Sequence, residues 1–140
     1  KCTSNKAMNK LYSVMDDLKL SYEIEENVKC NKRILRWDMV VNTKDGKFFI
    51  ESDGEQHFSL KVMTRISRNC PKSEVRFKDQ RTRDLLKEKY IRDNNKLLFR
   101  FSFRQTREIP QLVEKMLKMN SENKKGVVYM DDIYWGKNIN

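Results

Sequence analysis

Two β-prone runs joined by a turn constrain this chain more than any other feature. Arg36-Trp37-Asp38-Met39-Val40-Val41 and Phe48-Phe49-Ile50-Glu51-Ser52-Asp53 flank Asn42-Thr43-Lys44-Asp45-Gly46-Lys47, in which Asp45-Gly46 is the usual two-residue hairpin signal. Side chains alternate along a strand, so Glu51 and Asp53 share a face. Pairing the two runs antiparallel brings Asp38 near both. Three carboxylates converging at a strand edge suit a hard cation such as Mg²⁺, for which Mn²⁺ substitutes. In a chain of formal net charge +10, that pattern predicts a phosphate-ester substrate.

The 140 residues suffice for one domain with a real core but not for two. Thirty Lys and Arg against twenty Asp and Glu, with some of the acids gathered in the cluster above, leave a positive remainder. Nucleic acid is therefore the expected partner, ahead of an anionic membrane, because no basic helix with a broad apolar face stands out. No apolar run approaches the roughly 20 residues of a membrane span, and the start carries no signal-peptide pattern. Cys2, Cys30 and Cys70 are odd in number and far apart, so they are read as reduced thiols of an intracellular protein. The first residues, Lys1-Cys2, fit a piece of a longer protein, a processed form or a trimmed one.

Along the chain, Met8, Leu11, Tyr12, Met15 and Leu18 recur at helical spacing and predict a helix over 4–18, with Ser4 as its N-cap. Residues 21–28 alternate as a strand with Tyr22 and Ile24 inward. Strands over 35–41 and 47–53 follow. The basic segment 59–72 has no clean period and reads as a loop or short helix over phosphates. A second helix spans 74–93, with Phe77, Leu85, Leu86, Tyr90 and either Gln80 or Ile91 on its inner side and Asp84 and Lys87 neighbours on one face. Residues 96–103 read as a strand whose partly continuous apolar character suits a central, doubly covered position. Pro110 opens a helix over 109–119, and 126–130 forms an edge strand. The order predicts an α/β/α sandwich around a mixed sheet of four to five strands, in one domain with its core over about 4–118 and an extension over 121–140.

This order resembles the PD-(D/E)XK, or restriction-endonuclease-like, superfamily, and within it the very-short-patch-repair-type small endonuclease domains. Trp37-Asp38, then Glu51-Ser52-Asp53-Gly54-Glu55-Gln56-His57, then Arg83-Asp84-Leu85-Leu86-Lys87, then Leu97-Leu98-Phe99-Arg100-Phe101 carry the likeness. The resemblance implies that Asp38 and Glu51 bind metal. The superfamily's lysine, two residues beyond the second acid, is Asp53 here, and Lys87 is the substitute the sequence offers. His57 and Asp84 match positions where repair-type relatives carry a catalytic histidine and an acid. The glutamate such relatives place on the first helix has no counterpart there, and Glu25 is the nearest replacement.

The expectation is a Mg²⁺-dependent endodeoxyribonuclease acting on double-stranded DNA. Asp38, Glu51 and Asp53 would hold the ion, His57 would move a proton, and Lys87 would hold the scissile phosphate. Gln56 would orient water or cap the strand end, and Asp84 completes the catalytic set. Arg65, Arg68, Lys72, Arg76 and Arg81 would track the nucleic-acid backbone. The alternative is a degenerate nuclease fold that only binds DNA or RNA. A homodimer or further domains of a longer chain complete the expected partners.

Overall fold

The computed structural model describes residues 6–30, 33–55, 58 and 73–135. Helix α1 (Lys6–Asp17) precedes β1 (Ser21–Cys30), β2 (Arg33–Thr43) and β3 (Gly46–Asp53). Helix α2 (Ser73–Asp93), β4 (Leu97–Ser102), a 3-10 segment (Phe103–Glu108), α3 (Ile109–Ser121), β5 (Gly126–Tyr129) and a 3-10 turn (Asp132–Trp135) follow. The strands lie in chain order in one open five-stranded sheet, antiparallel from β1 to β3 and parallel from β3 to β5. Parallel neighbours need a crossover, and α2 and α3 supply the two. The expected α/β class with a mixed sheet is therefore what the chain forms.

Each face of the sheet is covered by helix. Met8, Leu11 and Met15 of α1 and Ile109, Leu112, Val113 and Met116 of α3 pack with Met39, Val41, Phe48, Ile50, Leu97, Phe99 and Phe101. On the other face α2 sets Ile91, with Leu86 and Tyr90, against Leu35, Trp37, Val40, Phe49 and Leu98. Strand β4 is buried along its whole length, as its continuous apolar character predicts.

The three α-helices of the described residues end the same way. Leu20 N–H donates to Met15 O and Lys19 N–H to Asp16 O; Lys96 and Asn95 repeat the pattern on Ile91 and Arg92, and Lys124 and Asn123 repeat it on Met119 and Asn120. This is the Schellman arrangement, and it puts Lys19, Asn95 and Asn123 at φ of 57°, 54° and 64°. Asparagine tolerates that region and lysine does so poorly, so the end of α1 is the strained one.

Three sequence expectations shift. Thr43 pairs with Gly46, so the hairpin loop is Lys44-Asp45, one residue earlier than predicted, and Gly46 follows it at φ 111°. Thr43 closes the turn by accepting from Asp45 N–H and donating to Gly46 O. Ile24, expected inward, is half exposed because β1 is the outer strand of the sheet. Leu85, expected on the inner side of α2, faces solvent, while Ile91, one of the two alternatives for that side, is buried.

Candidate functional site

Strands β2 and β3 pair from the turn as far as Met39 and Ile50. At the next position the carboxylates take over the pairing. Asp38 N–H donates to Glu51 Oε2 at 3.1 Å, and Ser52 N–H donates to Asp38 Oδ2 at 2.8 Å. The strand alternation also slips here: Leu35 and Trp37 pack on the α2 side, whereas Met39 and Val41 pack on the opposite side. Asp38 sits at the switch. The expected meeting of Asp38 with Glu51 is thus present, with each acid bonded to the other's strand.

Glu51 is buried, 3% exposed. Lys87 Nζ, reaching from α2, lies 3.1 Å from Glu51 Oε1 and 5.6 Å from the centre of the Trp37 ring. Burial, then the neighbouring Asp38 charge, pushes the Glu51 carboxyl up to about 8, against the pull of Lys87 and Arg100. A carboxyl in that position is short of positive charge.

Asp53 shares Glu51's face of β3, as alternation predicts, but answers a different partner. Arg100 of β4 is 2% exposed, and its Nη1 donates to both Asp53 oxygens at 2.9 Å. Its Nε donates to Glu88 Oε2 at 2.9 Å, and its Nη2 lies 3.3 Å from Asp84 Oδ1. Tyr134 from the chain's end donates to Asp53 Oδ2 at 2.7 Å, and Tyr129 donates to Glu88 Oε1 at 2.6 Å. Burial works against the Arg100 charge, but Asp53, Asp84, Glu51 and Glu88 outweigh it and raise the guanidinium's pKa. Arg100 is therefore a permanent buried cation whose neighbours are mostly acids.

The last turn is held down from outside. Arg104 bonds Asp131 and Asp132, and the Ser102 hydroxyl donates to Asp131. Burial favours the neutral acid, yet the bonds from Arg104 and Ser102 prevail and hold Asp131 at about 2. Phe58 packs against Phe103 and Tyr134 beside this clamp.

Of the residues predicted for the site, the structure brings together Asp38, Glu51 and Lys87, and it places Asp53 and Asp84 on Arg100. Arg81 is exposed on α2. Gln56, His57, Arg65, Arg68 and Lys72 lie outside the described residues, as do the side chains of Arg76 and Glu25. The sequence reading missed Arg100, Glu88, Tyr129 and Tyr134 as members of the network. A lone arginine inside Leu97-Leu98-Phe99-Arg100-Phe101 was the available signal, because a buried charge requires partners.

The donor set was tested for a divalent ion. Among the described residues no group of three or more His, Cys, Asp and Glu side chains is arranged to hold a metal ion. Asp38 and Glu51 nevertheless fit as a two-carboxylate set for a hard cation that keeps several waters, and the raised Glu51 carboxyl marks where added positive charge would be favoured. No helix among the described residues is long and apolar enough to cross a membrane. Comparison with protein-family models, with curated proteins and with solved structures gives no match.

Proposed function

We propose that this chain is a metal-dependent endonuclease of the restriction-endonuclease-like kind, hydrolysing phosphodiester bonds of double-stranded DNA inside the cell. The observation that carries the reading is the interlocked pair Asp38 and Glu51 at the point where β2 and β3 part, with Lys87 3.1 Å from Glu51. The order of strands and helices, antiparallel then parallel, agrees with that family resemblance.

Asp38 and Glu51 are the residues that would hold Mg²⁺ or Mn²⁺. When bound, such an ion lowers the pKa of a water and offsets charge gathering on the phosphate. Lys87 holds the scissile phosphate by its ammonium. His57 accepts a proton from the attacking water or gives one to the leaving oxygen, since an imidazole serves either role near neutrality. Gln56 orients water. Asp53 and Asp84 act through Arg100, which fixes β3 against α2 and so fixes the distance from Glu51 to Lys87. Arg65, Arg68, Lys72, Arg76 and Arg81 contact the DNA backbone, giving affinity that falls with salt and little base choice.

Supercoiled plasmid with Mg²⁺ or Mn²⁺ tests the reading. The expected result is nicked or linear product from the wild type and at least ~100-fold less from Asp38→Asn, in line with the loss of a principal electrostatic contributor. Equal inactivity of both proteins, with both still retarding DNA on a gel, would support a second reading, a nuclease fold that only binds nucleic acid. That reading is favoured by one observation: Lys87 and Arg100 already compensate Glu51 and Asp53 from within the protein.

A further inference from the structure

We propose that Lys87 is the resident counter-ion of the Asp38–Glu51 pair, and that a divalent ion entering the pair displaces its ammonium and frees it for the substrate phosphate. The inference rests on the metal-dependent reading above. It follows from which atoms are already engaged. Glu51 Oε2 is bonded to Asp38 N–H, so Oε1 is the oxygen that carries the ion pair, and Lys87 Nζ stands on it at 3.1 Å. Two cations cannot share that oxygen without repulsion in a poorly solvated pocket.

Lys87 is built to leave while its neighbours are not. Its side chain is 15% exposed, against 5% for Glu51 and 2% for Arg100, so it is the least enclosed of the three. Arg100 is held by three carboxylates, Asp53, Asp84 and Glu88. The ring of Trp37 lies 5.6 Å from Lys87 Nζ and offers the ammonium a second favourable contact once Glu51 is taken. Helix α2 carries both functions: Asp84 and Glu88 anchor it through Arg100, and Lys87 projects between them in the sequence.

A lysine that served only catalysis would leave metal affinity unchanged or increase it. A counter-ion competes with the metal, so removing it must tighten binding. Calorimetric titration with Mn²⁺ alone, at about pH 8.5 where Glu51 is ionised, is the test, on wild type, Lys87→Met, Lys87→Arg, Lys89→Met and Glu51→Gln. Lys87→Met is expected to bind Mn²⁺ roughly tenfold tighter or more, the scale of a close and poorly solvated charge pair. Lys87→Arg should bind more weakly than wild type, because its fork holds a carboxylate at two points. Lys89, paired with Asp93 on the exposed side of α2, controls for the mere loss of a positive charge and should leave affinity unchanged.

Acetylation of Lys87, followed by mass spectrometry with and without Mn²⁺, reads the displacement itself and should accelerate several-fold when the metal is bound. It needs no variant to fold. Glu51-dependent Mn²⁺ binding that is not tightened by Lys87→Met, or Lys87 acetylation that Mn²⁺ leaves unchanged, overturns the counter-ion assignment while the metal site stands. Absence of any Glu51-dependent binding in wild type and in Lys87→Met overturns the metal reading and this inference with it.

Discussion

Replacing Glu51 by Gln should change how stability depends on pH, and the size of the change follows from the burial of one carboxyl. In the unfolded chain the group ionises near its ordinary value of 4.5, and in the folded protein it is pushed up to about 8. Below pH 4.5 it is protonated in both states and costs nothing. Between 4.5 and about 8 the unfolded chain releases the proton and the folded one keeps it, so folding weakens as pH rises. Above 8 both are ionised and the decline ends. An interval of about 3.5 pH units at about 1.36 kcal/mol each gives a ceiling of about 5 kcal/mol.

Protonated Glu51, like glutamine, presents one carbonyl to its two donors, Asp38 N–H and Lys87, so Glu51→Gln starts within about 1 kcal/mol of wild type at pH 5. That offset does not vary with pH. Urea melts at pH 5, 7 and 9 without divalent ions should therefore show wild type losing stability steadily while the variant stays nearly level, so that the variant is clearly the more stable by pH 9. Parallel curves for the two proteins across this range would refute the reasoning, because the pH dependence would then arise at some other group. Added Mn²⁺ should restore much of the wild type's loss at pH 9 and do nothing for the variant.

Arg100→Met should destabilise the protein by about 3–5 kcal/mol at pH 7, because it strands Asp53, Asp84 and Glu88 without their shared cation. A loss under about 1 kcal/mol in a urea melt would mean the three acids are compensated by other groups. Lys19→Gly should stabilise by about 0.5–1 kcal/mol, since a non-glycine residue in the left-handed region costs about 1–2 kcal/mol and glycine's extra unfolded freedom returns part of it. Lys19→Ala is the control and should be nearly neutral. A glycine variant no more stable than the alanine one would refute the strain.

How much of this was readable before the structure depended on how far apart the partners lie in the chain. Asp38 and Glu51 are joined by a hairpin, so alternation plus a turn was enough to bring them together. The continuous apolar run of β4 marked it as central in the same local way. Ile24 was misjudged because alternation specifies a face but not whether a helix reaches far enough to cover it, and β1 is the outermost strand. Leu85 faces solvent because α2 is so polar that its apolar residues define no clear stripe, and tertiary packing decided between the inner-side candidates in favour of Ile91. Asp53 reads as a metal ligand by sequence logic, which does not reveal its other partners. Arg100 lies 47 residues further on and Tyr134 lies 81 further on, and nothing local announces that their side chains converge on one carboxylate.

The two margins of the sheet are unequal. Strand β5, at one side, has four residues; β1, at the other, has ten, with a row of backbone groups facing no other strand among the described residues. Such a rim invites a second molecule to add itself by backbone pairing, which is the route into ordered aggregates. Glu23 and Lys29, both exposed on β1, are the kind of residue that makes this approach unfavourable, and the net charge of +10 repels identical molecules before they meet. Copies of this chain are thus kept apart by their charges, and concentrated salt, which screens them, is the condition under which that repulsion is weakest.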